Sequence, residues 1–163
     1  MSDQQRTEPS RVADDRASLT EFLQYQRETL AMKCAGLTSE QLRLRAVPPS
    51  ELSLLGLVRH LAEVERGWFR NVVNGDEAPV HWPGGTAFEV AAADPDEAFR
   101  VWHEECARSR ATVNDAASFD APVRWREEVF TLRYVVTHMI EEYARHNGHA
   151  DLLRECIDGS TGE

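Results

Sequence analysis

Apolar residues recur at three- and four-residue spacing in four long stretches of this chain, the pattern of helices that each bury one face. The first runs from about Asp14 to Ala35, with Leu19, Phe22, Leu23, Gln26 and Leu30 on its stripe and Gly36 as a stop. The second runs from about Ser50 to Asn74. Pro48 and Pro49 precede it, Ser50 can cap it and Gly75 can end it, and its stripe is Leu54, Leu57, Leu61, Val64, Trp68 and Val72. The third starts at Asp94 or Pro95 and runs to about Ala117. Asp96 and Glu97 suit the positive end of its dipole, and Phe99, Trp102, Cys106 and Val113 form its apolar face. The fourth, from about Thr131 to Ile157, carries Leu132, Val136, Met139, Tyr143, His146, Ala150 and Leu153 and stops before Gly159.

The connections differ. The first is a short loop. The second, from Gly75 to Asp94, is long and contains Pro79, Pro83, Gly84 and Gly85. The third holds Pro122 and a β-like run from Val123 to Phe130. The pattern predicts an all-α fold, a four-helix bundle with a long connection between its second and third helices. One domain is expected over residues 13–159, between polar tails at 1–12 and 160–163.

Composition narrows the function classes. A chain of 163 residues can bury a sizeable core unaided, so a bound metal would be functional and not a folding staple. The formal charge of −10 repels phosphate backbones and anionic lipid, so neither nucleic acid nor a membrane is expected as partner. Cys34, Cys106 and Cys156 are scattered and form no CxxC pair, which argues against a disulfide framework or a thiolate zinc site and for a reducing, cytoplasmic setting. Cys156 reads as core-facing and inert. Met1 to Ser10 is polar, without the apolar region of a signal peptide, and no run approaches the roughly 18 apolar residues that span a bilayer.

The chemistry concentrates on the fourth helix, which reads His138-Met-Ile-Glu-Glu142-Tyr-Ala-Arg-His146-Asn-Gly-His149. Residues four apart lie within about 40° of each other on a helix surface, so Glu142 and His146 project side by side, as do His138 and Glu142. Helical phase separates the pairs. Measured from Leu132, His146 falls about 40° off the apolar stripe and Glu142 about 80°, while His138 and His149 lie roughly 120° and 100° away and lean outward. A carboxylate and an imidazole aimed between helices are costly unless paired, hydrogen-bonded or coordinating a metal. The third member is expected from a neighbouring helix, and His60 sits at the edge of the second helix's stripe, about 60° off Leu57. Two imidazoles and a carboxylate make an open facial site for a divalent metal; zinc, nickel or iron suits these donors.

Blander readings exist for each residue. A histidine on an apolar face can be a hydrogen-bonded core residue, and a Glu/His pair one turn apart can sit on a solvated face. Glu141 and Arg145 read as a surface ion pair. His81 and His103 read as surface or loop residues, and Trp68, Trp102 and Trp125 as core or loop anchors. Glu63 and Tyr143 are candidates for contacts behind the ligands, and no general base stands out.

The stretches Leu-Leu-Gly-Leu-Val-Arg-His60-Leu and His138-Met-Ile-Glu-Glu142-x-x-x-His146-x-Gly-His149 resemble the DinB-like superfamily of bacterial metalloproteins. Within it the chain looks closest to the branch of mycothiol-dependent maleylpyruvate isomerase and mycothiol S-transferases, over roughly residues 14 to 160. The resemblance implies a four-helix bundle, often a homodimer, with a metal between helices two and four. It implies His60, Glu142 and His146 as ligands, with Glu142 where the common form has a second histidine, a version that favours zinc over nickel. It also implies a low-molecular-weight thiol such as mycothiol as co-substrate and a small electrophile as substrate. The larger isomerase also has a C-terminal domain to which the resemblance does not extend, so the thiol-binding residues are expected to stay unassigned. The expected function is thus a metal-dependent thiol S-transferase. The alternatives are a metal-dependent hydrolase and a non-catalytic stress-response binding module of the same fold.

Overall fold

Residues 6–162 are described by a computed structural model, with backbone alone at residues 85 and 86. The predicted tail at residues 1–12 therefore lies in part, at residues 1–5, outside the described residues, as does residue 163 of the other tail. The fold is mostly helical with one small two-stranded sheet.

Helix α1 spans Asp15–Cys34 and starts at Asp14, whose carboxylate accepts the Ala17 N–H. The first connection is not a plain loop: it contains a short helix, α2, Ser39–Arg43. Thr38 and Gln41 cap it reciprocally, each side chain bonding the other's backbone N–H, a capping box that the Thr-x-x-Gln spacing encodes. Helix α3, Leu54–Glu65, begins four residues later than the prolines suggested. Ser53, not Ser50, is its cap, accepting the Gly56 N–H, while the Ser50 N–H closes a turn onto the Val47 carbonyl. The helix then widens into a π-helical segment, Arg66–Val73.

A 3-10 segment, Pro83–Phe88, breaks the long connection before α4, Pro95–Asp115. The β-like run is a hairpin of β1, Pro122–Trp125, and β2, Glu128–Thr131, with Val123 opposite Phe130. It hands directly to α5, Leu132–Asp158, capped by Thr131 and ended by Gly159 at φ 77°. Helix α1 packs on α5, and α3 packs on α4 and α5. No helix among the described residues is long and apolar enough to cross a membrane.

The core holds Leu23, Leu30, Leu57, Leu61, Phe69, Trp102, Met139 and Tyr143. Three positions differ from the expected stripes. Phe22 is 46% exposed, because α1 turns Leu23, Arg27 and Leu30 inward instead. Cys156 is exposed, lying roughly 120° from Leu132 around α5. On the second helix the π-helical widening rotates Phe69 into the core and leaves Trp68 only half buried.

Arg27 reaches Glu65 through two hydrogen bonds of 2.7 and 2.8 Å, both side chains being buried. Tyr143 Oη donates to Glu65 Oε1 at 2.8 Å, and Trp102 Nε1 donates to Tyr143 Oη at 2.8 Å. Four helical segments are thus joined inside the core by one satisfied polar network. Burial alone would push the Glu65 carboxyl up, but Arg27 beside it holds it below the usual carboxylate range.

Candidate metal centre

The second turn of α3 and the middle of α5 face each other across the core margin. The meeting residues are His60 on α3 and Glu142 and His146 on α5, one donor atom of each lying within 4.8 Å of the others. Glu142 Oε2 is 3.6 Å from His60 Nε2 and 3.6 Å from His146 Nε2. Both separations exceed hydrogen-bond length. They match two donors that share one ion: ligands about 2.1 Å from a metal at a tetrahedral angle stand about 3.4 Å apart. The donor chemistry and spacing therefore fit a divalent first-row cation.

The electrostatics suit the same task. Burial pushes the His146 imidazole down to about 4 from 6.5, with His60 beside it adding to the shift and Glu142 opposing it. Burial lowers His60 as well, against the pull of Glu142. Both rings are neutral at pH 7 and offer lone pairs, the form a metal takes. The His60, Glu142 and His146 side chains keep 26%, 16% and 11% exposure, so the cluster opens to solvent on the His60 side.

Two supports hold this geometry, and sequence reasoning found neither. His149 Nδ1 lies 3.3 Å from His146 Nδ1. On the other flank, Phe88 stacks on His60 with ring centroids 5.2 Å apart. Phe88 comes from the long connection, which α3 pins at several points. Glu63 Oε1 accepts the N–H groups of His81 and Trp82 at 2.6 and 3.0 Å, and Arg59 donates to the Glu89 carbonyl at 2.7 Å while its guanidinium covers Trp82. Arg66 donates to the Ala78 carbonyl at 2.6 Å. Gly56 permits the close approach: a Cβ there would stand 3.1 Å from Phe88 Cδ1.

The remaining suspects take other places. Glu63 serves the connection, not the ligands, and Tyr143 turns into the Glu65 network. Glu141 pairs with Arg145 as expected. His81 Nε2 meets buried Glu105 at 2.9 Å, and His103 packs beside Trp102. His138 lies at the far side of Glu142, its Nε2 3.9 Å from Oε1. Burial pushes the Cys34 and Cys106 thiols up to about 12, so neither is a ready nucleophile.

The family model described as mycothiol S-transferase matches residues 18–159. The chain belongs to the mycothiol S-transferase family. The match runs from α1 through the end of α5 and so takes in every residue of the His60/Glu142/His146 cluster. Membership in this DinB-like family agrees with the mostly helical fold. Among curated proteins none matches the chain.

Proposed function

We propose that this chain is a metal-dependent thiol S-transferase, a four-helix bundle of DinB type that joins a mycothiol-type thiol to a small electrophile. The observation that carries the reading is the convergence of His60, Glu142 and His146 on one point, at ligand spacing, inside a chain of the mycothiol S-transferase family. A divalent cation there, zinc by preference, would supply the Lewis acidity that makes a thiol a nucleophile at neutral pH.

The chain's own residues do the rest. His60, Glu142 and His146 would hold the cation, and with one anionic group among the three a dication would keep net positive charge toward a thiolate sulfur. His149 orients His146. Phe88 stacks on one face of His60 and steadies the ring. The sulfur attacks the electrophile, the new S–C bond replaces the bond to the leaving group, and the thiol proton passes to solvent. Cys34 and Cys106 are protonated and buried, and the exposed Cys156 sits about 15 Å beyond His146 along α5, so this reading gives the reacting sulfur to the co-substrate. The same proposal includes a cytoplasmic homodimer, which light scattering of the purified protein tests.

The test is conjugation of mycothiol to a panel of electrophiles by the metal-loaded protein. Thiol-dependent product formation that His146→Ala abolishes supports the reading. Turnover of esters or amides without added thiol would replace transfer with hydrolysis.

A further inference from the structure

The two oxygens of Glu142 face different imidazoles. Oε2 looks toward His60 and His146, at 3.6 Å from each. Oε1 looks the other way, toward His138 Nε2 at 3.9 Å. Glu141 is divided in the same manner: Oε1 takes Arg145, while Oε2 lies 3.6 Å from His138 Nδ1. Positions 138, 141 and 142 share one face of α5 by i,i+3 and i,i+4 spacing, and one donor atom from each lies within 4.8 Å of the other two.

We propose that His138, Glu141 and Glu142 form a second divalent-cation site, joined to the first through the Glu142 carboxylate. The inference rests on the first site, because Glu142 is common to both.

Three features favour a cation over a simple ion pair. Neither carboxylate comes within hydrogen-bond reach of the His138 ring, yet one ring nitrogen and one oxygen of each carboxylate lie within 4.8 Å of one another, so a shared ion and not a direct contact would join them. The ring is held by packing: Trp68 lies against it at 4.6 Å between centroids, and Tyr134 stacks parallel to it at 6.1 Å with a 4° tilt. An imidazole clamped this way is oriented before any ligand arrives. Finally, Arg145 can keep Glu141 Oε1 while Oε2 binds the ion, so the surface pair need not break.

The donor set fixes the kind of ion. One nitrogen and two carboxylates are a harder set than the first site's, and they suit manganese or cobalt as well as zinc. Glu141 is about half exposed, so water completes the shell and the ion exchanges readily. A bridging carboxylate holds two cations about 3.5–4 Å apart, near enough for both to contact one substrate.

The experiment is equilibrium dialysis of the metal-free full chain against Mn(II) or Co(II), with elemental analysis and electron paramagnetic resonance. The account expects about two equivalents per chain, the second bound roughly tenfold or more weakly, with spin coupling between the ions at saturation. His138→Phe keeps the aromatic packing and removes both nitrogens. It should bind about one equivalent with the tight site unchanged and no coupled signal, and Glu141→Gln should weaken only the second ion. Saturation of the parent chain at about one equivalent, or a second equivalent that survives in His138→Phe, overturns this inference and leaves the first site standing. A chain that binds no metal overturns both.

Discussion

His149 Nδ1 stands 3.3 Å from His146 Nδ1, one turn further along α5. An imidazole that turns its Nε2 lone pair to a cation carries its proton on Nδ1. His146 then donates to His149, whose own proton sits on Nε2, and the contact fixes both tautomer and ring angle. His149→Ala should therefore weaken metal binding by about 10–100-fold with the helix content intact. His149→Gln, whose side-chain carbonyl can accept the same proton, should recover part of the loss. Competition with a chromophoric chelator measures both. Equal affinity in the parent and His149→Ala would mean that the contact orients nothing.

Arg27 and Glu65 are buried partners, and removing one strands the other. Arg27→Ala should cost about 3–5 kcal/mol in urea unfolding, because an unpaired carboxylate remains in the core. Arg27→Lys should fall between, since a single ammonium cannot reproduce the two-pronged contact. A loss under about 0.5 kcal/mol in Arg27→Ala would show that water or a neighbour replaces the arginine.

Gly56 should resist a change that usually helps. Gly→Ala inside a helix normally gains about 0.5–1 kcal/mol. Here the added Cβ would meet Phe88 Cδ1 at 3.1 Å and the capping Ser53 Oγ at 3.2 Å. Gly56→Ala should gain nothing in thermal unfolding and should weaken metal binding by displacing Phe88 from His60. A more stable variant with unchanged affinity would show that Phe88 is free to yield.

The metal-free chain should lose stability in mild acid through His146. Its folded pKa of about 4 lies below the ordinary 6.5, so between those values the unfolded chain binds a proton that the folded chain refuses. Stability contributed in this way is complete above about 6.5, falls as pH drops toward about 4 and levels off below it. His60 shifts in the same direction. Urea unfolding of metal-free protein across this range should show the slope, and His146→Ala should flatten it. An equal slope in the variant would assign the acid sensitivity to other groups.

How much of this was legible in the sequence follows from the kind of backbone involved. Helix α5 runs uninterrupted from Leu132 to Asp158, so a fixed turn per residue carried from Leu132 put Glu142 and His146 at the core margin, and the structure brings them together with His60. The same arithmetic misplaces residues where the helix changes pitch. Across Arg66–Val73 the π-helical turn rotates the stripe, so Phe69 is the core residue and Trp68 the half-buried one, now against His138. Arg27 has no place in the apolar stripe read for α1, because its partner, Glu65, is 38 residues away on another helix. Phe88 is set by side-chain hydrogen bonds to a loop backbone, for which no periodicity exists. His149 does lean outward, yet an i,i+3 neighbour can bend back to His146, a relation that His146-x-x-His149 does contain.

The central claim is that His60, Glu142 and His146 hold a metal ion. Elemental analysis of the purified full chain after exhaustive dialysis tests it most directly, beside His60→Ala and His146→Ala carried through the same steps. The account predicts about one tightly held divalent ion per parent chain and its loss from both variants, each of which keeps its helical circular dichroism. A parent chain without metal, or variants that retain it in full, would contradict the account.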